Sequence, residues 1–161
     1  MEALEPHLIL AFSDLQAGIT TELVKRGHTV FTFNQRSVAE ILQMIRVLGG
    51  IVGVPDKAAA LVGELESRLD AIRGSAARFP CRPTVYFEEW DDPLISGIRW
   101  VEELVEIAGG TPIFPELRGA SLAKDRIVSA DRVIAAAPEV FIGSWCGKPV
   151  RKERVRTRAG W

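Results

Sequence analysis

Short apolar strands alternating with amphipathic helices predict an α/β protein with parallel sheets. Three stretches carry that expectation. His7 to Phe12 is a continuous apolar run of the kind that buried parallel strands show. A helical repeat and a second strand, Thr29 to Phe33, complete a βαβ unit, whose strands should be parallel and whose crossover should be right-handed. From Val85 to Gly110 a strand gives way to acidic and aromatic residues, and then to another amphipathic helix.

In chain order, Ser13 or Asp14 can cap the first helix, in which Leu15, Ile19, Leu23 and Val24 recur at helical spacing until Gly27 ends it. After Thr29 to Phe33, Ser37 and Glu40 form a capping box for a helix whose apolar side is Val38, Ile41, Leu42, Ile45, Leu48 and Val52. The repeat falters at Gly49-Gly50 and Gly53-Val54-Pro55, then resumes with Leu61, Val62, Leu65, Leu69 and Ile72 until Gly74 and Pro80. Two helices with a kink are expected. Pro83 precedes the strand Val85 to Phe87, where a proline is tolerated. Beyond it, Glu88-Glu89-Trp90-Asp91-Asp92-Pro93 is expected to leave the core and face a ligand. Val101, Leu104, Val105 and Ala108 then define a helix that Gly109-Gly110 stops. A last strand, Val140 to Gly143, leads into the turn Ser144-Trp145-Cys146-Gly147.

At 161 residues the chain has the length of one ordinary domain. Its 20 Lys and Arg balance 21 Asp and Glu, leaving a net charge of -1 and no electrostatic footprint for nucleic acid. The basic stretch Arg151 to Arg158 lacks interleaved aromatics and is expected to be a solvated loop or the start of an element cut short. The first apolar run is preceded by Glu2, Glu5 and Pro6 rather than by positive charge, so no signal peptide is expected within the chain, and no apolar run is long enough to span a membrane. Cys81 and Cys146 lie in different elements without metal-ligand spacing and read as unpaired thiols.

Glu88, Glu89, Asp91 and Asp92 are the residue types that a glycosidase or a magnesium-dependent enzyme uses, which keeps a carboxylate- or metal-dependent hydrolase open as an alternative. Neighbours on a strand point to opposite faces, however, so Glu88 and Glu89 cannot both address one substrate while the strand continues. His7 and His28 lack a third ligand. Ser13, Ser96 and Ser144 lack a base, and no nucleophile elbow or phosphate loop occurs. A binding site asks for less: aromatic planes and a few directed polar groups. Trp90 and Trp145 both follow strands, at the carboxyl edge where α/β sheets gather ligands. Ser13 and Asp14 hold the corresponding position after the first strand, and Gln35 and Arg36 after the second. Glu89 and Arg99 complete the candidate set, with Lys124 as a further donor. Trp100 starts an amphipathic helix and is expected to cover the core.

Four segments share a family likeness. They are ALEPHLILAF (Ala3 to Phe12), the helical stretch Ser37 to Arg78, RPTVYFEEW through EIAGG (Arg82 to Gly110), and IVSADRVIAAAPEVFIG (Ile127 to Gly143). In this order, across nearly the whole chain, they resemble the substrate-binding proteins of cobalamin and iron-siderophore ABC importers, and EEWDDPLISGIRW looks most like the cobalamin-binding branch. The resemblance implies two Rossmann-like parallel-sheet lobes joined by a long helix, the class III periplasmic-binding-protein architecture, here incomplete at both ends. Residues 1–36 would be the remainder of the first lobe, 37–79 the connector and 80–161 the incomplete second lobe. A helical hinge of this kind permits only small closure. The resemblance further implies a binding protein rather than an enzyme, without a cofactor, that delivers cobalamin or a related corrinoid to ABC permease subunits outside the cytoplasm. A ferric siderophore or haem is the alternative ligand. Permease docking would fall to Asp131, where the family more usually has glutamate, although an acid there also suits the helix dipole. The first-lobe counterpart would lie just upstream of Ala3, in register with neither Glu2 nor Glu5. A homodimer, covering faces that missing elements would otherwise cover, is a further expectation.

Overall fold

The computed structural model describes residues 4–161, so Met1, Glu2 and Ala3 lie outside the described residues. The first βαβ unit forms as its pattern predicts, with shorter strands. β1 (Ile9–Phe12) pairs in parallel with β2 (Val30–Phe33), from Ile9 opposite Val30 to Phe12 opposite Phe33. A 3-10 turn, Asp14–Gln16, leads into α1 (Ala17–Lys25). Ser13 caps the turn, not α1, whose N-cap Gln16 makes no side-chain capping bond: the buried Ser13 Oγ accepts from the Leu15 amide at 3.3 Å, with φ at 65°. Leu10, Phe12, Leu15, Ile19, Val24 and Phe31 are all exposed, so this two-stranded sheet and its helix keep open apolar faces.

The capping box that opens α2 (Val38–Ile51) is complete. Ser37 Oγ accepts from the Glu40 amide, and Glu40 Oε2 accepts from the amides of Arg36 (2.6 Å) and Ser37 (3.0 Å), which hold the Glu40 carboxyl below its ordinary range. The expected kink is a full break. Gly53, with φ at 75°, allows the reversal, and Pro55 starts α3 (Pro55–Ala76), 22 residues long. The two helices fold back on each other, with Arg46 and Glu66 paired at 2.8 Å. They meet closely at Gly49, where an added Cβ would lie 2.2 Å from Ala58 Cβ.

The second sheet is built around β3 (Thr84–Asp91). Val85 pairs with both Val140 and Pro112, and Glu88 with both Gly143 and Ser96. One side of β3 is therefore held by the parallel strand β6 (Val140–Gly143). The other is shared by parallel β5 (Thr111–Pro112) and antiparallel β4 (Leu94–Ser96). Between β4 and β5 runs α4 (Arg99–Ile107); α5 (Ala130–Ala136) precedes β6, and α6 (Lys152–Arg156) follows it. Tyr86, Phe114, Val128 and Val133 form the core beneath this sheet, with Phe141 and Trp161 packed against it. The ring of Tyr86 meets those of Phe114, Phe141 and Trp161 at 5.8–6.0 Å, within the range of favourable edge contacts.

Two sequence expectations are corrected here. The strand does not end at Phe87 but runs on to Asp91 and turns back through Asp92-Pro93 into β4. Glu88 and Asp91, expected to leave the core, are buried in it. Of the two expectations for the basic stretch, an element rather than a solvated loop is found: it forms α6, and its Arg154 and Arg158 pair with the buried Asp91 and Glu88.

Candidate functional site

Acidic residues can occupy this strand because each has a cation delivered from far along the chain. Glu88 has no exposed side-chain surface; Arg158 grips it through Nη1 to Oε2 at 2.6 Å and Nη2 to Oε1 at 2.8 Å, and Trp145 Nε1 donates to Oε1 at 2.8 Å. Such a fork-on-fork pair is the strong form of a charge-assisted contact. The next residue, Glu89, where the β3–β4 register shifts, accepts from Nη1 of the buried Arg126 at 2.7 Å. Arg126 Nη1 also donates to the Ser96 carbonyl, and Ser96 Oγ donates to the Arg126 carbonyl at 3.3 Å, which ties the β3–β4 hairpin to the loop before α5.

The third acid, Asp91, has no exposed side-chain surface and faces two cations, Lys148 at Oδ1 and Arg154 Nη1 at 2.9 Å from Oδ2. Burial alone would raise its carboxyl; the Lys148 hydrogen bond, the backbone and the nearby Arg154 outweigh burial and hold it below the ordinary range. Lys148 also lies over the Trp90 ring, 3.7 Å from its centroid, and 5.4 Å from that of Trp145. Trp90 itself is half-buried, with Nε1 donating to the Asp92 carbonyl at 2.8 Å. The two tryptophans expected at the strand ends do meet around one cation. Their exposure differs: Trp145, expected at an open edge, is only 5% exposed and braces Glu88, which leaves Trp90 as the aromatic surface accessible from outside.

At the first sheet's edge, Asp14 and Arg36 come together as an ion pair of 2.6 Å, and the Arg36 guanidinium lies 5.8 Å from the Phe12 ring. Gln35 Oε1 and Arg36 Nε are buried there without a hydrogen-bond partner, unlike most buried polar atoms. Ser13 is turned inward as a cap. Arg99, exposed, donates to Glu103 Oε1 at 2.8 Å, while Glu103 Oε2 accepts from the Val38 amide at 2.7 Å, so the start of α4 is fastened to the start of α2. Lys124 is exposed, as is Asp131 in the first turn of α5, where Ser129 caps the helix.

Among the described residues no group of three or more His, Cys, Asp or Glu could hold a metal ion. Three of the four carboxylates that suggested one, Glu88, Glu89 and Asp91, are paired with Arg158, with Arg126 and with Lys148 and Arg154. Sequence reasoning missed the partners Arg126, Lys148, Arg154 and Arg158. One signal was present: buried-strand positions Glu88 and Asp91 demand cations, and the chain's densest run of them lies between Lys148 and Arg158. Two depressions, of about 590 and 580 Å³, lie elsewhere, around Arg73, Glu103 and Ile107 where α3 and α4 meet.

A two-stranded parallel sheet and a four-stranded mixed sheet, separated in the chain by a helical pair, with polar and aromatic groups at strand carboxyl ends, give an α/β architecture. The family model described as periplasmic binding protein matches residues 1–161, and the chain belongs to that family. It is a family of solute binding in transport rather than of catalysis. A cobalamin-binding protein of Halobacterium salinarum is 28% identical over 134 residues, which are 80% of this chain and 36% of that protein. Vitamin B12 binding protein BtuF of Vibrio cholerae, a periplasmic protein, superimposes with a TM-score of 0.66 at 22% identity, over 89% of this chain and 55% of that one. The heme complex of S. aureus IsdE does so with a TM-score of 0.73 at 17% identity, over 96% and 60% of the two chains. This chain thus spans about a third of the length of the curated relatives it matches. No helix among the described residues is long and apolar enough to cross a membrane.

Proposed function

We propose that this chain is substrate-binding sequence of an ABC importer and that its ligand is cobalamin or a related corrinoid. The observation that carries the ligand reading is Trp90. It is a half-buried aromatic surface at the carboxyl end of β3, held in a tight hairpin by its Nε1 bond to the Asp92 carbonyl, with the Lys148 ammonium over its ring. The similarity to a cobalamin-binding protein across most of the chain supports it. A rigid aromatic plane suits a large flat ring bearing amides, to which Gln35, Arg36 and Asp14 of the first sheet's edge and Arg99 would supply polar contacts. Glu89 and Trp145 brace the same strand through Arg126 and Glu88, and Ser13 caps the 3-10 turn after β1. Residues 1–36 and 80–161 would belong to two lobes joined by 37–79, Asp131 would face the permease, and the protein would act outside the cytoplasm, with no cofactor. A homodimer is not needed to explain the open faces of β1, β2 and α1, because the family's members carry additional length.

Titration of the chain with cyanocobalamin, followed by calorimetry, tests the reading. Saturable binding, weakened about three- to tenfold in Trp90→Ala, is the expected result. Absence of saturable binding by the folded chain would overturn it. Haem is the second reading, supported by the likeness to a heme complex. Against it, the chain's one tyrosine, Tyr86, is buried in the core, so no phenol reaches the edge to ligate iron.

A further inference from the structure

We propose that Lys148 is an intramolecular occupant of the Trp90 face, which an incoming planar ligand must displace. Lys148 thereby sets which ligands the site accepts. The inference rests on the corrinoid reading for its ligand, though its physical basis lies in the unliganded chain. The Lys148 ammonium stands 3.7 Å from the centroid of the Trp90 ring, closer than any other cation–ring contact among the described residues, and 5.4 Å from that of Trp145. It donates at the same time to the buried carboxylate of Asp91. An ammonium over an indole face is the favoured geometry of a cation–π contact, and burial of the carboxylate beside it strengthens the hold.

The arrangement has the features of a displaceable plug. Lys148 follows Gly147, whose φ is 73°, in a turn after β6, and its side chain is about one-third exposed. Asp91 does not depend on it alone, because Arg154 Nη1 lies 2.9 Å from the other oxygen, so the carboxylate keeps a cation when Lys148 swings away. A flat apolar ring gains the Trp90 surface at the cost of that contact. A ligand with a cationic or polarised edge can replace the ammonium in kind. The site therefore discriminates against weakly stacking planar molecules and admits those that recover what the ammonium had.

Lys148→Met preserves the length of the side chain and removes its charge; Lys148→Arg preserves the charge. In the absence of ligand, acrylamide quenching assigned to Trp90, by difference against the same proteins carrying Trp90→Phe, should rise in Lys148→Met and stay at the wild-type level in Lys148→Arg. Unchanged quenching in Lys148→Met overturns the proposal whatever the ligand. With cyanocobalamin, Lys148→Met should bind about two- to fivefold more tightly than wild type, the ratio expected when a surface cation–π contact no longer competes. Weaker binding by Lys148→Met would make Lys148 a ligand contact instead and would also overturn the proposal. Raised quenching with no cyanocobalamin binding by any of the three proteins would support the occupied face and remove the corrinoid reading.

Discussion

Replacing Arg158 by Met should unfold the second sheet far more readily than any surface substitution, because it strips the cation from a carboxylate with no exposed surface. Arg158 makes two hydrogen bonds to Glu88, at 2.6 and 2.8 Å, and Trp145 contributes only one. Breaking one side of a buried pair costs about 3–5 kcal/mol, since the remaining charge keeps its desolvation penalty without compensation. For a chain of this size each kcal/mol shifts the melting temperature by roughly 2–4 °C, so a fall of about 6–20 °C is expected. Urea denaturation followed by circular dichroism gives the free energy, and Trp145 fluorescence reports on the site of damage. The double variant Glu88→Gln with Arg158→Met should recover a large part of the loss, because both charges then leave together. A loss below about 1 kcal/mol in the single variant, or no recovery in the double one, would mean that the pair is not buried in solution and that the C-terminal segment is not anchored as described.

Glu102 offers a pH test. It is 4% exposed, and burial pushes its carboxyl up to about 7 from an ordinary 4.5, opposed by the Arg118 and Arg126 charges and reinforced by Glu106 and Glu116. Between those values the folded chain keeps a proton that the unfolded chain has released, so stability must fall as pH rises through the window, by about 3 kcal/mol in all. Glu102→Gln should flatten that slope and exceed wild type at roughly pH 8, as read from urea midpoints; an unchanged slope would count against the shift. Gly49→Ala should cost about 1–3 kcal/mol by forcing α2 and α3 apart at Ala58, where the new Cβ would stand 2.2 Å from its neighbour. Its thermal midpoint should fall, whereas Gly50→Ala, whose Cβ would meet nothing within 4 Å, should not lower it.

Local pattern determined much of this protein. The capping box at Ser37 and Glu40, the cap at Ser13, the interruption between two helices around Gly53-Val54-Pro55 and the parallel pairing of the first two strands follow from interactions within a few residues or from the handedness of a βαβ crossover. Spacing also put Trp90 and Trp145 at the ends of neighbouring strands, and the family was legible in the order of four segments. The reach of β3 and the fate of its acids were not legible. Glu88 and Asp91 look like solvent-facing residues until Lys148, Arg154 and Arg158 are seen beside them, 57 to 70 positions away. Periodicity can say which residues share a face of one element, because that depends on backbone geometry alone. Whether a charge can be buried depends on a counter-charge whose position only the folded chain supplies. Tertiary structure therefore decided that the acidic run is a clasp, that Trp145 is a brace, and that Trp90 meets its surroundings through Lys148.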